Sequence, residues 1–180
     1  MKRIAEFYKV SFDQFVEDYR KINGLEVISK DGIAALMEAH KNIRLPERAT
    51  SGSAGYDFFS PFEFSVEPGQ TVTFPTGIRC RMKEGWVLFL FTRSSLGLKY
   101  RFQLDNSVAV IDYDFFFSEN EGHIMAKFTN DGREGKVVHI EPGKAYMQGV
   151  FVKFGITVND NVTQKRNGGI GSTDKTEGNK

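Results

Sequence analysis

From about Ile43 to Val158 the chain is a succession of short β-branched and aromatic runs, each closed by turn-forming residues, and this interrupted pattern leaves room for little except antiparallel strands. The strand candidates are residues 71–74, 78–82, 87–91, 107–111, 123–128, 136–140 and 149–154. Pro68-Gly69, Thr76-Gly77, Glu84-Gly85, Asp131-Gly132 and Pro142-Gly143 separate them, residues that fix or free φ where the backbone reverses. Strands at this spacing imply an all-β sandwich or jelly-roll barrel.

The two flanks differ from this middle. Phe12, Phe15, Val16 and Tyr19 recur at helical spacing, and Ser11 with Gln14 has capping-box geometry, so a short amphipathic helix is expected from Ser11 to near Gly24. A second helix is expected from about Gly32 to Lys41, capped by Asp31, with Ile33, Leu36, Met37 and His40 on one stripe. Such stripes are expected to cover the β core. Residues 159–180 are rich in Asn, Gly, Thr and charge and cannot build a core. Over 161–180, Lys165, Arg166, Lys175 and Lys180 outnumber Asp174 and Glu177, which suits closure over an anion. The expected organisation is a helical extension over 1–42, a β domain over 43–158 and a flexible arm over 159–180.

At 180 residues the chain has room for one domain with decorations. Lys and Arg number 24 against 23 Asp and Glu, a net +1 that lacks the basicity of a duplex-binding module, so no nucleic-acid partner is expected. A single cysteine, Cys80, excludes an internal disulfide and a zinc ribbon. The longest apolar run, residues 86–91, falls far short of the ~20 residues of a membrane-spanning helix. Met1-Lys2-Arg3 leads into no long apolar stretch, and a cytoplasmic protein with no membrane partner is expected.

Three segments carry chemistry. Thr92-Arg93-Ser94-Ser95 follows the longest apolar strand, bringing a planar guanidinium and two hydroxyls to a buried strand's end as a phosphate clamp; a capped turn is the structural alternative. Gly168-Gly169-Ile170-Gly171-Ser172-Thr173 could wrap backbone N–H groups around an oxyanion, but it lacks the lysine, the strand and the helix of a P-loop. Ala109-Val110-Ile111-Asp112 runs an apolar strand into a carboxylate, which can orient and deprotonate a water attacking phosphorus or simply form a turn. His40, His123 and His139 show no ligand spacing, whereas Mg²⁺ held by phosphates and water would leave little trace in a sequence. Cys80 and the Ser94-Ser95 pair have no activating base at a recognisable spacing.

Taken in order, these segments resemble the five motifs of the trimeric dUTPase family. Leu45-Pro46-Glu47-Arg48-Ala49-Thr50 and Ser53-Ala54-Gly55-Tyr56-Asp57-Phe58 resemble the opening strand and first motif. Arg93-Ser94-Ser95 matches the second, and the stretch from Leu104-Asp105-Asn106 through Ile111-Asp112-Tyr113-Asp114-Phe115 the third. Pro142-Gly143-Lys144-Ala145-Tyr146-Met147-Gln148 resembles the fourth, and Gly168 to Thr173 the fifth.

The resemblance implies a jelly-roll subunit, a homotrimer with active sites between subunits, and Mg²⁺-dependent hydrolysis of dUTP to dUMP and pyrophosphate by water attack on the α-phosphorus. By position, Asp112 would hold the water, Asn106 would read uracil, and Phe115 would lie against deoxyribose. Arg93, Ser94, Ser95 and Gln148 would engage phosphates, and Asp57 would act near Mg²⁺ at most through water. The arm, through Lys165, Arg166, Gly169, Ile170, Gly171, Ser172 and Thr173, would close over the substrate. Phe115 replaces the family's Tyr, Ile170 its stacking Phe and Ala109 a common Gly; either Lys165 or Arg166 stands for the arm's Arg, and residues 116–121 are inserted where the family turns at once. Two other readings remain at this stage: a dCTP deaminase of the same superfamily, with Glu119 or Glu121 activating water, and a non-catalytic dUTPase-like nucleotide sensor or partner-binding protein.

Overall fold

A computed structural model describes residues 2–132, 134–164 and 166. The strands run β1 (Ala5–Lys9), β2 (Glu47–Arg48), β3 (Tyr56–Phe59), β4 (Phe64–Val66), β5 (Thr71–Pro75), β6 (Ile78–Met82), β7 (Trp86–Thr92), β8 (Phe102–Leu104), β9 (Ala109–Ile111), β10 (Met125–Asn130), β11 (Val138–Ile140) and β12 (Ala145–Lys153). Helices α1 (Phe12–Ile22) and α2 (Lys30–Lys41) precede β2, α3 (Ser94–Tyr100) follows β7, and a 3-10 turn spans Tyr113–Phe117. This is the all-β architecture expected, with every ladder antiparallel.

The largest sheet has the order β2-β3-β12-β7-β9, and smaller ones pair β5-β10-β8, β11-β4 and β1-β6. Between them lies one aromatic core. Phe58, Phe102, Phe128 and Tyr146 are almost fully buried, and the rings of Phe102 and Phe128 stack at 4.7 Å. Alternation along β6 and β10 turns Ile78, Cys80, Met82, Ala126 and Phe128 inward, the period-2 pattern of a strand with one buried face.

The N-terminal stretch joins that core. β1 pairs with β6 over its whole length, from Ala5 opposite Met82 to Lys9 opposite Ile78, so the segment expected only as helical also supplies a strand. Phe15 of α1 is fully buried and stacks on Phe62 at 5.7 Å. Ser11 caps α1 as expected, its Oγ accepting the Gln14 N–H at 3.2 Å. The second helix departs from expectation. It begins at Lys30 and its cap is Ser29, whose Oγ accepts the Gly32 N–H at 3.1 Å, while Asp31 lies in the first turn, where a carboxylate meets the positive end of the helix.

A buried polar link ties α1 to the β core. His123 Nε2 accepts the Gly77 N–H at 2.9 Å, which leaves Nδ1 to donate to Asp18 Oδ2 at 2.7 Å. Satisfied in this way, His123 is structural, and Cys80 is equally inert because burial pushes its thiol up to about 12. Among the described residues no helix is long and apolar enough to cross a membrane.

Because α1 shares the core with the sheets, Phe15→Ala should cost about 3–5 kcal/mol and lower the midpoint of one cooperative unfolding transition. Two separate transitions in urea, followed by circular dichroism, would show instead that the N-terminal stretch unfolds on its own.

Candidate active site

β12 brings the first half of the site together. Its Gln148 lies opposite Asp57 of β3 on one side and Phe91 of β7 on the other. Immediately after β7, the Arg93 N–H donates to the Tyr146 carbonyl at 3.3 Å, which fixes where the chain leaves the sheet. The Arg93 side chain then reaches Asp57, Nε to Oδ1 at 3.3 Å, and remains partly open to solvent. Ser94 and Ser95 begin α3 with exposed side chains beside it. A guanidinium, an amide and two hydroxyls thus lie on one end of the sheet, donors of the kind an anion takes.

The second half is built on β9. Apolar Ala109 and Ile111 are buried, and the strand ends at Asp112, which opens the 3-10 turn; the Phe115 N–H donates to the Asp112 carbonyl at 3.2 Å. The Asp112 carboxylate stays 49% exposed at the end of a buried strand. Asn106 is exposed in the loop between β8 and β9, where Ser107 adopts a positive φ of 60°. Arg166 folds back onto this half: Nη2 meets Asp112 Oδ2 at 2.5 Å, Nε meets Asp114 Oδ1 at 3.2 Å, and the guanidinium lies 5.6 Å from the centre of the buried Phe115 ring. Lys165, Gly169, Ile170, Gly171, Ser172 and Thr173 lie outside the described residues.

The two halves face opposite ends of β7. The antiparallel register sets Ile111 against Leu88 and Ala109 against Leu90, so Asp112 emerges near Val87, whereas Arg93 leaves the other end of the strand. At about 3.3 Å per residue, that separation along β7 is roughly 20 Å.

The dUTPase family model matches residues 41–174. The chain belongs to the dUTPase family. The deoxyuridine 5'-triphosphate nucleotidohydrolase of Lactococcus lactis is 39% identical to it over 158 residues, covering 85% of this chain and 98% of its own length. That of Desulfitobacterium hafniense is 35% identical over 147 residues, covering 77% and 93%. Among solved structures, the dUTPase of Streptococcus mutans superposes with a TM-score of 0.57 at 40% identity, over 65% of this chain and 90% of its own. The dUTPase of phage phi11 of S. aureus shares the fold at 22% identity, with a TM-score of 0.56 over 69% and 92% of the two chains, and its structure concerns the coordination of a structural Mg(II) ion.

Within this dUTPase fold the expected site residues sort into two sets. Arg93, Ser94, Ser95, Gln148 and Asp57 gather at one end of the sheet, and Asp112, Phe115 and Arg166 at the other, with Asn106 in the loop leading into β9. Of the two deaminase candidates, Glu121 is committed elsewhere. Both carboxylate oxygens of Glu121 are engaged by Ser11, at 2.9 Å from its N–H and 2.6 Å from its Oγ. Sequence reasoning also missed Asp114, which shares Arg166 with Asp112; its spacing two residues on gave no hint until the 3-10 turn placed both on one side.

With Arg93 expected to grip the phosphates, Arg93→Ala should weaken a non-hydrolysable deoxyuridine triphosphate by about 10- to 100-fold, the size of one or two charge-assisted hydrogen bonds. Calorimetric titration should find a smaller loss for the monophosphate.

Proposed function

We propose that the chain hydrolyses dUTP to dUMP and pyrophosphate in a homotrimer whose active sites lie between protomers. The observation that carries this reading is the separation of the two half-sites along β7. A carboxylate at one end and a phosphate clamp at the other cannot serve one nucleotide within a chain, yet two chains could bring them face to face. Apolar side chains without a home support the assembly: Val110 on β9, and Phe154, Ile156 and Val158 beyond β12, are exposed, the last three in the alternating pattern of a strand.

In this reading the Asn106 loop and β9 receive uracil and deoxyribose, with Phe115 as the apolar wall beneath the sugar. Asp112 holds a water in line with the α-phosphorus and takes its proton on a carboxylate oxygen as the new P–O bond forms. The bond to the bridging oxygen breaks, and pyrophosphate leaves carrying the displaced charge. Arg93, Ser94, Ser95 and Gln148 of a neighbouring protomer meet that charge with fixed donors, stabilising the leaving group more than the ground state. Arg166, already paired with two carboxylates, supplies a guanidinium that the substrate's phosphates compete for. The arm residues Lys165, Gly169, Ile170, Gly171, Ser172 and Thr173 complete the lid and exclude bulk water.

Mg²⁺ is the cofactor assigned to this site. Among the described residues no cluster of three or more His, Cys, Asp or Glu side chains forms a cage, and the oxygen donors present, Asp57 and Gln148 beside Arg93, fit a cation that keeps its waters and rides on phosphates. When bound, the ion neutralises phosphate charge and helps hold the triphosphate in shape.

Pyrophosphate release should be seen with dUTP and not with UTP, dTTP or dCTP, and should fall when Mg²⁺ is removed; ammonia release from dCTP would overturn the assignment. Asp112→Asn keeps the size of the side chain and weakens the base, so turnover should fall by roughly 10²-fold or more while the trimer persists in light scattering. A chain ending at Gln164 should keep its melting midpoint yet lose most turnover, and full activity there would show the arm to be idle.

A further inference from the structure

Residues 116–121 follow the Asp112 turn directly and lengthen it relative to the family pattern. They are held on several sides. Glu121 accepts both the N–H and the hydroxyl of Ser11, so a residue far along the chain completes the cap of α1. From β6, Arg79 donates Nη2 to the Phe116 carbonyl at 2.8 Å, places its guanidinium carbon 3.8 Å above the Phe116 ring, and brings Nη1 to 3.5 Å from Glu121. Tyr8 of β1 contacts the same ring at 5.7 Å between centroids. The segment then returns against its own start. Gly122 has a φ of +68°, and a Cβ there would lie 2.5 Å from the Phe115 carbonyl oxygen and 2.6 Å from Phe116 Cα.

The turn needs such support. A 3-10 turn has poorer hydrogen-bond geometry than an α-helix, and here its two ends are tied by the Phe115 N–H on the Asp112 carbonyl and the Ser118 N–H on the Phe115 carbonyl. Aiming a carboxylate at an in-line water tolerates little drift, since a misplacement of about 1 Å can cost on the order of 10²-fold in rate. Burial pushes the Glu121 carboxyl upward, but the Ser11 hydrogen bonds and the Arg79 charge outweigh it and leave the group below its ordinary value, so it is ionised wherever the enzyme works.

We infer that Arg79 and Glu121 are positioning residues for Asp112: by clamping the inserted segment to β1, β6 and the cap of α1, they hold the turn that aims the water-bearing carboxylate. The inference rests on the role given to Asp112 above. It gives the N-terminal stretch a part in turnover, since Ser11 and Tyr8 are two of the clamp's anchors.

The test uses the full-length chain with Arg79→Met, Arg79→Lys, Glu121→Gln and the double variant Arg79→Met/Glu121→Gln. Arg79→Met and Glu121→Gln should each lower kcat for dUTP about tenfold with KM within twofold, and should speed amide hydrogen exchange over residues 113–118. Arg79→Lys, which keeps the charge facing Glu121, should recover part of kcat. The double variant should be no slower than the worse single one, because both changes open one clamp. Asn130→Ala, which removes hydrogen bonds to Val66 and Lys136 away from the turn, should lower the melting midpoint and leave kcat intact. Unchanged exchange in the turn, or faster exchange with unchanged kcat, would overturn the inference, as would losses in kcat that merely follow the melting midpoint. Should Arg79→Met fail to fold, Glu121→Gln gives the same readouts. If Asp112→Asn itself leaves turnover intact, the assignment beneath the clamp falls; if it abolishes turnover while the clamp variants do nothing, only the clamp falls.

Discussion

Everything in the site depends on β12 being hydrogen-bonded on both sides. Its backbone pairs with β3 and with β7, so any slip of one residue would turn every side chain of the strand to the other face. Gly149 shows how closely the layers approach there: a Cβ would sit 2.8 Å from Leu88 and 3.0 Å from Phe58. With that register locked, Gln148 can only lie between Asp57 and the end of β7, and Arg93 must leave the sheet beside them. The same β7 pairs with β9 on its far side and thereby sends Asp112 to the opposite end. The pairing that places Arg93 is therefore what separates it from the Asp112 carboxylate, and that separation is why the proposed reaction calls for two protomers.

Parts of this were legible in the sequence because they depend on neighbours in the chain. The strand over 78–82 was readable from the Thr76-Gly77 and Glu84-Gly85 turns that bound it, and the start of α1 from Ser11 and Gln14. Other parts were not. β1 is five residues of mixed character, and only its partner some seventy residues later makes it a strand. β4 and β8 are three residues each, too short for any periodicity to show. The cap of α2 was expected at Asp31, an acceptable capping residue by propensity, but the helix starts two residues earlier and Ser29 takes the Gly32 N–H.

The site follows the same division. Arg93 and Asp112 stand out because each follows an apolar run, whereas Gln148 entered only through the motif order that carried the family resemblance. Which of them could share a ligand was invisible, since that depends on strand order and not on spacing. Glu121 shows the limit most clearly. In the sequence it is a carboxylate in an insertion and was weighed as a base; in the fold, Ser11 and Arg79 consume its acceptors and turn it into a fastening.

The contact of Arg166 with Asp112 is a light one. Asp112 is half exposed and the pair is screened by water, so the attraction is worth no more than about 1 kcal/mol, as for most surface ion pairs. A triphosphate brings several charges into a site from which water is being excluded, where each pairing strengthens. In the function proposed above, transfer of Arg166 from carboxylates to phosphates would exchange a weak pairing for a stronger one and would uncover the Asp112 carboxylate as substrate enters, so the weakness of the first contact is what would let one guanidinium serve both roles.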